Sequence, residues 1–330
     1  MKTFVKGRRT ALQIIGAGAA ALALPAVRAQ GAWPTAKPVR MVIGFAPGGA
    51  SDVVTRVVAK GLSTQIGQQV IVENKPGAES TIAAMDVMKA PPDGYTILMG
   101  TNTAMVAVPS LRPNPPYDTF KAFTPLSTMG EFSMFLAVSP QLPSNNLKEF
   151  LDHVAANPGK YNSASSNSAS ELAMLQLLGT RPGAKVVNVR YKGDPPALTD
   201  MIGGQIHMMF STGTLMPTMV KDGRLRALVT LLPQRSPLLP DVPTARELGL
   251  GNLTITPWAG FFGPANMPPE LANRVSAALR AAIESPEVRE QMQAQGFQGY
   301  GMTPADFTAF VRRQHESFNK VVKENNVKFE

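Results

Sequence analysis

Apolar positions along the chain fall into short continuous runs separated by stretches in which they recur every three or four residues. Val39, Met41, Val42, Ile43 and Phe45 form the first run, closed by the break Pro47-Gly48-Gly49. A run this short with turn residues behind it predicts a strand buried on both faces. Val53, Val54, Val57, Val58, Leu62 and Ile66 then follow at helical spacing. A second run, Val70-Ile71-Val72, leads into the turn Lys75-Pro76-Gly77. Thr81, Ile82, Met85 and Met88 mark a short helix, and residues 95–99 a third strand. Strand and helix in alternation predict a parallel sheet with right-handed crossovers.

The middle of the chain repeats the theme. Strands are expected at 135–138, 186–189, 206–210 and 225–230, and helices around Leu147–Val154, Leu172–Leu178, 197–202 and 216–221. A strand at 260–263 precedes three terminal helices, near 269–284, 287–295 and 304–324, with a turn-rich connector at 296–302. The class is α/β. Two halves fit better than one long sheet. The chain is expected to cross between them near 129–133 and 253–258. Residues 30–131 with 255–330 then form a discontinuous first domain, and residues 132–254 the second.

Composition narrows this reading. The 330 residues include no cysteine. Disulfides, Cys-zinc sites, iron–sulfur clusters and a thiol nucleophile are therefore excluded. The formal charge of +9 is concentrated at the start, where residues 1–29 hold Lys2, Lys6, Arg8, Arg9 and Arg28 and no acid. Without them 27 basic residues face 23 acidic ones, a net +4. That balance suits a small anion and lacks the clustered Lys/Arg face that nucleic acid requires. The densest basic pair is Arg224/Arg226.

A basic start, the apolar stretch 14–24 and small residues at Val27 and Ala29 make the three parts of an export signal cut after Ala29. The apolar stretch is shorter than the ~18 residues that a membrane span needs. Arg8-Arg9 followed by Leu12 resembles a twin-arginine signal, from which Ala11 and Gln13 depart. The mature protein is expected in a bacterial periplasm and not to span the membrane.

The sharpest chemical signal is Phe45-Ala46-Pro47-Gly48-Gly49-Ala50-Ser51-Asp52, between a strand and a helix. Glycines admit positive φ and close approach. Unpaired amides at a helix start, with the helix dipole behind them, make an anion seat. No Gly-Lys-Ser/Thr follows, and the spacing is not G-x-G-x-x-G, so nucleotide binding gains no support. Asp52 reads more readily as cap or hinge than as ligand. A second seat is expected at Ser165, Ser166, Ser168 and Ser170, again between strand and helix, where hydroxyls and amides orient a carboxylate without titrating. Each loop also admits the plainer reading of a turn with a helix cap. Gly100-Thr101-Asn102-Thr103 repeats the donor chemistry after a third strand, and Arg190-Tyr191-Lys192 forms a fourth patch. In open α/β sheets ligands lie beyond the carboxyl ends of strands.

Catalysis, cofactor binding and metal binding find no support. There is no Gly-x-Ser-x-Gly elbow and no His-Glu-x-x-His, and the histidines are only His153, His207 and His315. His315 is expected at the surface and His207 as a buried structural residue. Asp194 and Asp200 flank a helix start and need not meet.

Together these motifs resemble the Bug or TctC-type solute-binding proteins of tripartite tricarboxylate transporters. The resemblance runs in order through residues 33–330. It includes the segment 39–52, Val72-Glu73-Asn74-Lys75-Pro76-Gly77-Ala78, Pro92-Asp93-Gly94-Tyr95-Thr96, Tyr191-Lys192-Gly193, Gly203-Gly204-Gln205 and Asp241-Val242-Pro243-Thr244. Trp258-Ala259-Gly260-Phe261-Phe262-Gly263-Pro264 extends it. It implies a periplasmic binding protein of the type II-like fold, two α/β domains with a cleft between them. Such a protein closes on a small organic carboxylate and delivers it to a two-component membrane permease. It implies that main-chain amides of residues 45–52 and the serine loop 165–170 hold the carboxylate, often through waters.

Departures concern the ligand. The serine loop lacks the family's usual glycines and is shorter, and Glu171 stands where His is common. Ser211 and His207 replace acids usual at their positions. A shorter loop and the loss of charge at Ser211 lead us to expect a larger or doubly anionic acid, such as an aromatic dicarboxylate. Two rival functions share parts of this picture: an adaptor for a membrane sensor kinase, and a secreted serine hydrolase. The default oligomeric state is a monomer.

Overall fold

The computed structural model describes residues 33–324 except 113, 192, 193, 214, 252 and 254. The export signal expected at 1–29 and the Lys192-Gly193 pair lie outside the described residues. Eleven described strands make two sheets. The first has the order β11-β4-β10-β3-β1-β2 and the second β7-β6-β8-β5-β9.

The first sheet starts with β1 (Val39–Ile43), flanked in parallel by β2 (Val70–Asn74) and β3 (Thr96–Thr101). β4 (Phe123–Phe132) and β10 (Trp258–Pro264) run antiparallel to each other, and β11 (Phe297–Gly299) pairs with β4. β10 is also antiparallel to β3. The sheet is therefore mixed rather than wholly parallel. Val39, Met41, Val42 and Ile43 are fully buried, because helices cover both faces of the parallel strands. α1 (Ala50–Ile66) presents Val54, Val58 and Leu62, one face at successive turns, to a core shared with Val275, Leu279 and Ile283 of α7 (Pro269–Glu284). α2 (Thr81–Met88) covers the other side with Ala83, Ala84 and Val87.

The second sheet repeats this arrangement. β6 (Asn162–Ser165) lies in parallel between β7 (Val187–Arg190) and β8 (Met208–Thr212). β5 (Met134–Val138) is antiparallel to β8 and to β9 (Arg226–Thr230). Its helices are α3 (Leu147–Ala156), α4 (Ser168–Leu178), α5 (Asp194–Ile202) and α6 (Leu215–Lys221). In both sheets the central strand of a parallel triad feeds directly into a helix: β1 into α1 and β6 into α4.

The halves are joined at β4, which passes through Ser133 into β5, and at the return before β10. Several contacts tie these crossings. The Phe132 N–H donates to Pro257 O (2.8 Å) and the Ser133 N–H to Gly296 O (2.7 Å). The buried hydroxyls of Ser133 and Ser236 meet at 2.9 Å. α8 (Pro286–Ala294) closes the first half. The last helix, α9 (Pro304–Glu324), packs on both β4 and α4, and Phe318 and Val321 share a core with Leu172 and Leu177. That apolar seam continues through Trp258, whose ring meets Phe307 and Phe310 edge-on at 5.8 and 5.5 Å.

Two strands differ from the sequence expectation. Residues 123–132 carry no strand in the sequence reading; there Pro125 lacks a donor and Gly130 packs no side chain, which obscures a strand pattern. Two register shifts on β10 accommodate them. β11 reaches only Gly130 to Phe132, so Pro125 sits where β4 is an edge. Gly130 has φ +141°, and a Cβ there would lie 2.0 Å from Gln298 O, so only glycine fits. β11 itself lies in the expected connector.

Candidate functional site

The carboxyl ends of each parallel triad emerge on one edge of its sheet. In the first sheet that edge carries residues 45–52 after β1, Asn74 at the end of β2, and Thr101 at the end of β3. In the second it carries Ser165 after β6, Arg190 and Tyr191 after β7, and Ser211 and Thr212 at the end of β8. The described residues of all four patches singled out from the sequence therefore lie at these two edges.

Gly48 turns the first loop with φ +81°, and no side chain caps α1. The first-turn amides of a helix have no partner within it, so those of Ala50, Ser51 and Asp52 stand at an exposed loop formed by residues 46–50. Phe45 is half-buried and joins the core beneath. The Asp52 side chain is turned inward. It is 3% exposed and accepts from the Gly48 N–H (2.9 Å), Asn74 Nδ2 (2.8 Å) and Arg56 Nε (3.0 Å). Burial alone would raise its pKa, but the hydrogen bonds from Arg56, Asn74 and Gly48 outweigh burial and hold it below the ordinary carboxylate value. Asn74 also donates to Phe45 O (3.0 Å). Asp52 thus fastens the loop that presents the amides.

The serine loop divides into two roles. Asn167 caps α4 by accepting from the Ser170 N–H (2.9 Å), while the Ser170 hydroxyl accepts from the N–H groups of Ser166 and Asn167 (3.1 and 3.3 Å). This reciprocal box shapes the loop and occupies Ser170 within it. The Ser165 and Ser168 hydroxyls, on residues 2% and 8% exposed, have no partner among the described residues. A buried hydroxyl without a partner is costly, and such groups are expected where a ligand or water completes them.

A cavity of about 200 Å³ lies against this loop. Its second-half wall carries Ser165, Ser166, Ser168, Glu171, Arg190 and Tyr191. Its first-half wall carries Glu79, Ala107, Val108 and Arg112. Residues 45–52, Thr101, Asn102, Thr103, Ser170 and Ser211 are not on its walls. Next to Glu79, the Ser80 hydroxyl donates to Gly44 O (3.2 Å), just before the glycine loop. Hollows of about 500 and 410 Å³ lie outside α4; the second shares Glu171 with the cavity, but neither is lined by Ser165, Ser166 or Ser168.

Glu79, Arg112 and the ion pair between Arg190 and Glu171 were not read from the sequence as site features. Glu79 lies in a run of left-handed residues, Ala78 (φ 46°), Glu79 (55°) and Ser80 (69°). No local pattern of side chains signals such a conformation. Ala107 and Val108 reach the wall because a π-helical turn, Thr103–Ala107, follows β3. Thr101 belongs to β3 and is buried, as is Asn102; Thr101 Oγ1 and Asn102 Nδ2 have no partner among the described residues.

Other expectations are corrected. Ser211 does not leave the edge without an acid: its hydroxyl donates to Asp194 Oδ2 (2.6 Å), which also accepts the Thr212 N–H (2.8 Å). Tyr191 donates to Asp200 Oδ2 (2.6 Å); desolvation and then the Asp200 carboxylate push its phenol up to about 12. His315 is half-buried rather than at the surface, bonded to Met105 O (2.8 Å) and Ser110 Oγ (3.1 Å). Burial lowers its pKa, so the ring is the neutral spacer of that contact, and neither it nor Ser110 lines the cavity. His207 is half-buried and accepts the Asn162 N–H (3.1 Å). Among the described residues no group of three His, Cys, Asp or Glu side chains is placed to hold a metal. No described helix is long and apolar enough to cross a membrane.

Comparison with known proteins follows the same lines. The model of the tripartite tricarboxylate transporter family receptor, TctC, matches residues 54–327. Protein BugT of Bordetella pertussis is 31% identical over 319 residues, 96% of this chain and 98% of that protein. A solved structure from R. palustris with adipate is 27% identical with a TM-score of 0.74, covering 88% of this chain and 97% of that one. MatC from Rhodopseudomonas palustris with bound malate is 29% identical with a TM-score of 0.70, covering 87% and 99%.

Proposed function

The chain belongs to the tripartite tricarboxylate transporter receptor family, and on that premise we propose that it captures a small organic carboxylate between its two halves and hands it to a two-component membrane permease. The observation that carries this reading is the cavity of about 200 Å³ with walls from both halves and two buried serine hydroxyls without a partner among the described residues. Similar proteins hold adipate and malate, both small carboxylates.

The mechanism follows from where the donors sit. One seat belongs to the first half, at the start of α1, and the other to the second, at the start of α4. A carboxylate at either seat meets peptide N–H groups and the positive end of a helix, which favour the anion without a proton transfer. Only the closed arrangement engages both seats. The ligand then shifts the equilibrium by its differential affinity for that state. We place the hinge at the two crossings, at Ser133 between β4 and β5 and in the return before β10. The permease needs to recognise only closure. Export through the segment 1–29 would put the protein in the periplasm.

The protein is a receptor and not an enzyme on this reading. Each histidine is bonded away from the loop serines: His153 to Tyr161 Oη (2.6 Å), His207 to Asn162, and His315 to Ser110 and Met105. Among the described residues neither the Ser165 nor the Ser168 hydroxyl has a hydrogen-bond partner that could act as its base. Native mass spectrometry of freshly purified protein tests the reading. It should reveal an adduct with the mass of a small organic acid, lost on unfolding. Calorimetry with mono- and dicarboxylates that detects no binding, or steady turnover of an ester, would overturn it.

A further inference from the structure

Resting on that reading of the cleft, we propose that Arg112, which lines the cavity from the first half, determines specificity by meeting a second anionic group on the ligand. Four charged side chains line the cavity, one ion pair from each half, and the pairs are built differently. In the second half Glu171 is nearly buried, its side chain 11% exposed. Both its oxygens accept from Arg190, from Nε at 3.0 Å and Nη2 at 3.1 Å. An anion that took Arg190 would strand that carboxylate in a dry wall, which is strongly unfavourable. This pair stays closed and keeps the wall beside the serine hydroxyls neutral.

The pair in the first half is loose. Arg112 gives a single N–H to Glu79 Oε2 (3.1 Å), with side chains 41% and 53% exposed. An exposed ion pair is weak, and Glu79 remains hydrated if its partner leaves. An incoming carboxylate can therefore compete for Arg112 at small cost. Charge-assisted bonds to a guanidinium are among the stronger ones a ligand can make. Glu79 reaches the cavity from a backbone run in the left-handed region, fixed by the Ser80 N–H to Gly77 O (3.0 Å). Such strain concentrates where a side chain must be placed for function.

The first-half wall also carries Ala107 and Val108, which offer an aliphatic spacer an apolar surface. The complementary ligand is a dianion. On closure one carboxylate is shared by the two seats, the Ser165 and Ser168 hydroxyls with the α4 amides on one side and the α1 amides on the other, a short methylene chain passes Ala107 and Val108, and a second carboxylate meets Arg112.

The test is calorimetric. Succinate, glutarate and adipate are compared with the monoacids of equal length, on wild-type protein and on Arg112→Gln and Glu79→Gln. Wild type should prefer a diacid over its matched monoacid. Arg112→Gln should weaken that diacid about tenfold or more and change the monoacid little, since one charge-assisted bond carries that factor. Glu79→Gln, which removes the competitor, should leave diacid affinity equal or higher. Both sites are half-exposed, and unchanged melting curves would verify folding. Equal preference for mono- and diacids, or equal losses of both in Arg112→Gln, would overturn the proposal while the carboxylate cleft stands. If wild type bound none of these acids, the cleft reading would fall as well.

Discussion

Replacing Asp52 with alanine separates two roles that one residue at an anion seat can have. The carboxylate accepts from Gly48 N–H and Asn74 Nδ2 in a buried setting, and from Arg56, whose side chain is half-exposed. The exposed pair adds little, since screening limits such contacts to about 0–1 kcal/mol. The two buried charge-assisted bonds contribute about 1.5 kcal/mol each, so the loss is roughly 3 kcal/mol. For a chain of this size that corresponds to a fall in Tm of about 5–10 °C. The pH dependence gives an internal check. The Asp52 pKa is lowered in the fold, so its contribution is complete above the unfolded value, about 3.9. It disappears as pH falls through the folded value, where both states are protonated. The gap between wild type and Asp52→Ala in urea melts should therefore be flat at neutral pH and close in acid. Carboxylate affinity should fall together with stability, because the Gly48 turn loosens. A variant that melts like wild type yet has lost the ligand would refute this reasoning and make Asp52 a direct ligand contact.

Three further outcomes are expected. A Cβ on Gly49 would meet only Ala46 O, at 3.5 Å, and its φ is −72°; Gly49→Val should fold normally, crowd the α1 amides and weaken carboxylate binding in calorimetry. Ser165→Ala with Ser168→Ala removes two buried hydroxyls that lack partners; melting should be unchanged or raised, while ligand affinity falls. Glu131, buried between the crossings, accepts from Tyr300 Oη (3.0 Å) and Thr256 Oγ1 (3.4 Å), and burial raises its pKa despite both bonds. The fold then holds a proton that the unfolded chain has released. Stability should fall as pH rises from the ordinary carboxyl value toward the folded one, and Glu131→Gln should remove that slope in urea melts.

Much of the architecture was legible because the elements that build it follow simple periods. The apolar run at β1, the helical spacing of α1 and the Gly48-Gly49 break state their structure locally. β4 was hidden because Pro125 and Gly130 argue against a strand, and only its bulged pairing with β10 reconciles them. The two loops were visible for the same reason as α1: glycines and serines between strand and helix have few other uses. Asp52, read as cap or hinge, fastens its own loop, whereas Ser170, read as part of the second seat, is bonded inside its own loop. A side chain that caps and one that binds draw on the same amino acids. Glu79 and Arg112 could not be placed, because a left-handed run without glycine and a π-helical turn bring them to the cavity. The depth of His315 likewise depends on Met105 O, which that π-helical turn presents to α9.

Hydrogen exchange with and without a bound acid tests the central claim most directly, on the wild-type chain with a carboxylate found by native mass spectrometry. The account predicts that the acid slows exchange in two separate segments at once, residues 46–52 and 165–170. Protection confined to one of them, or to the outer face of α4, would contradict it.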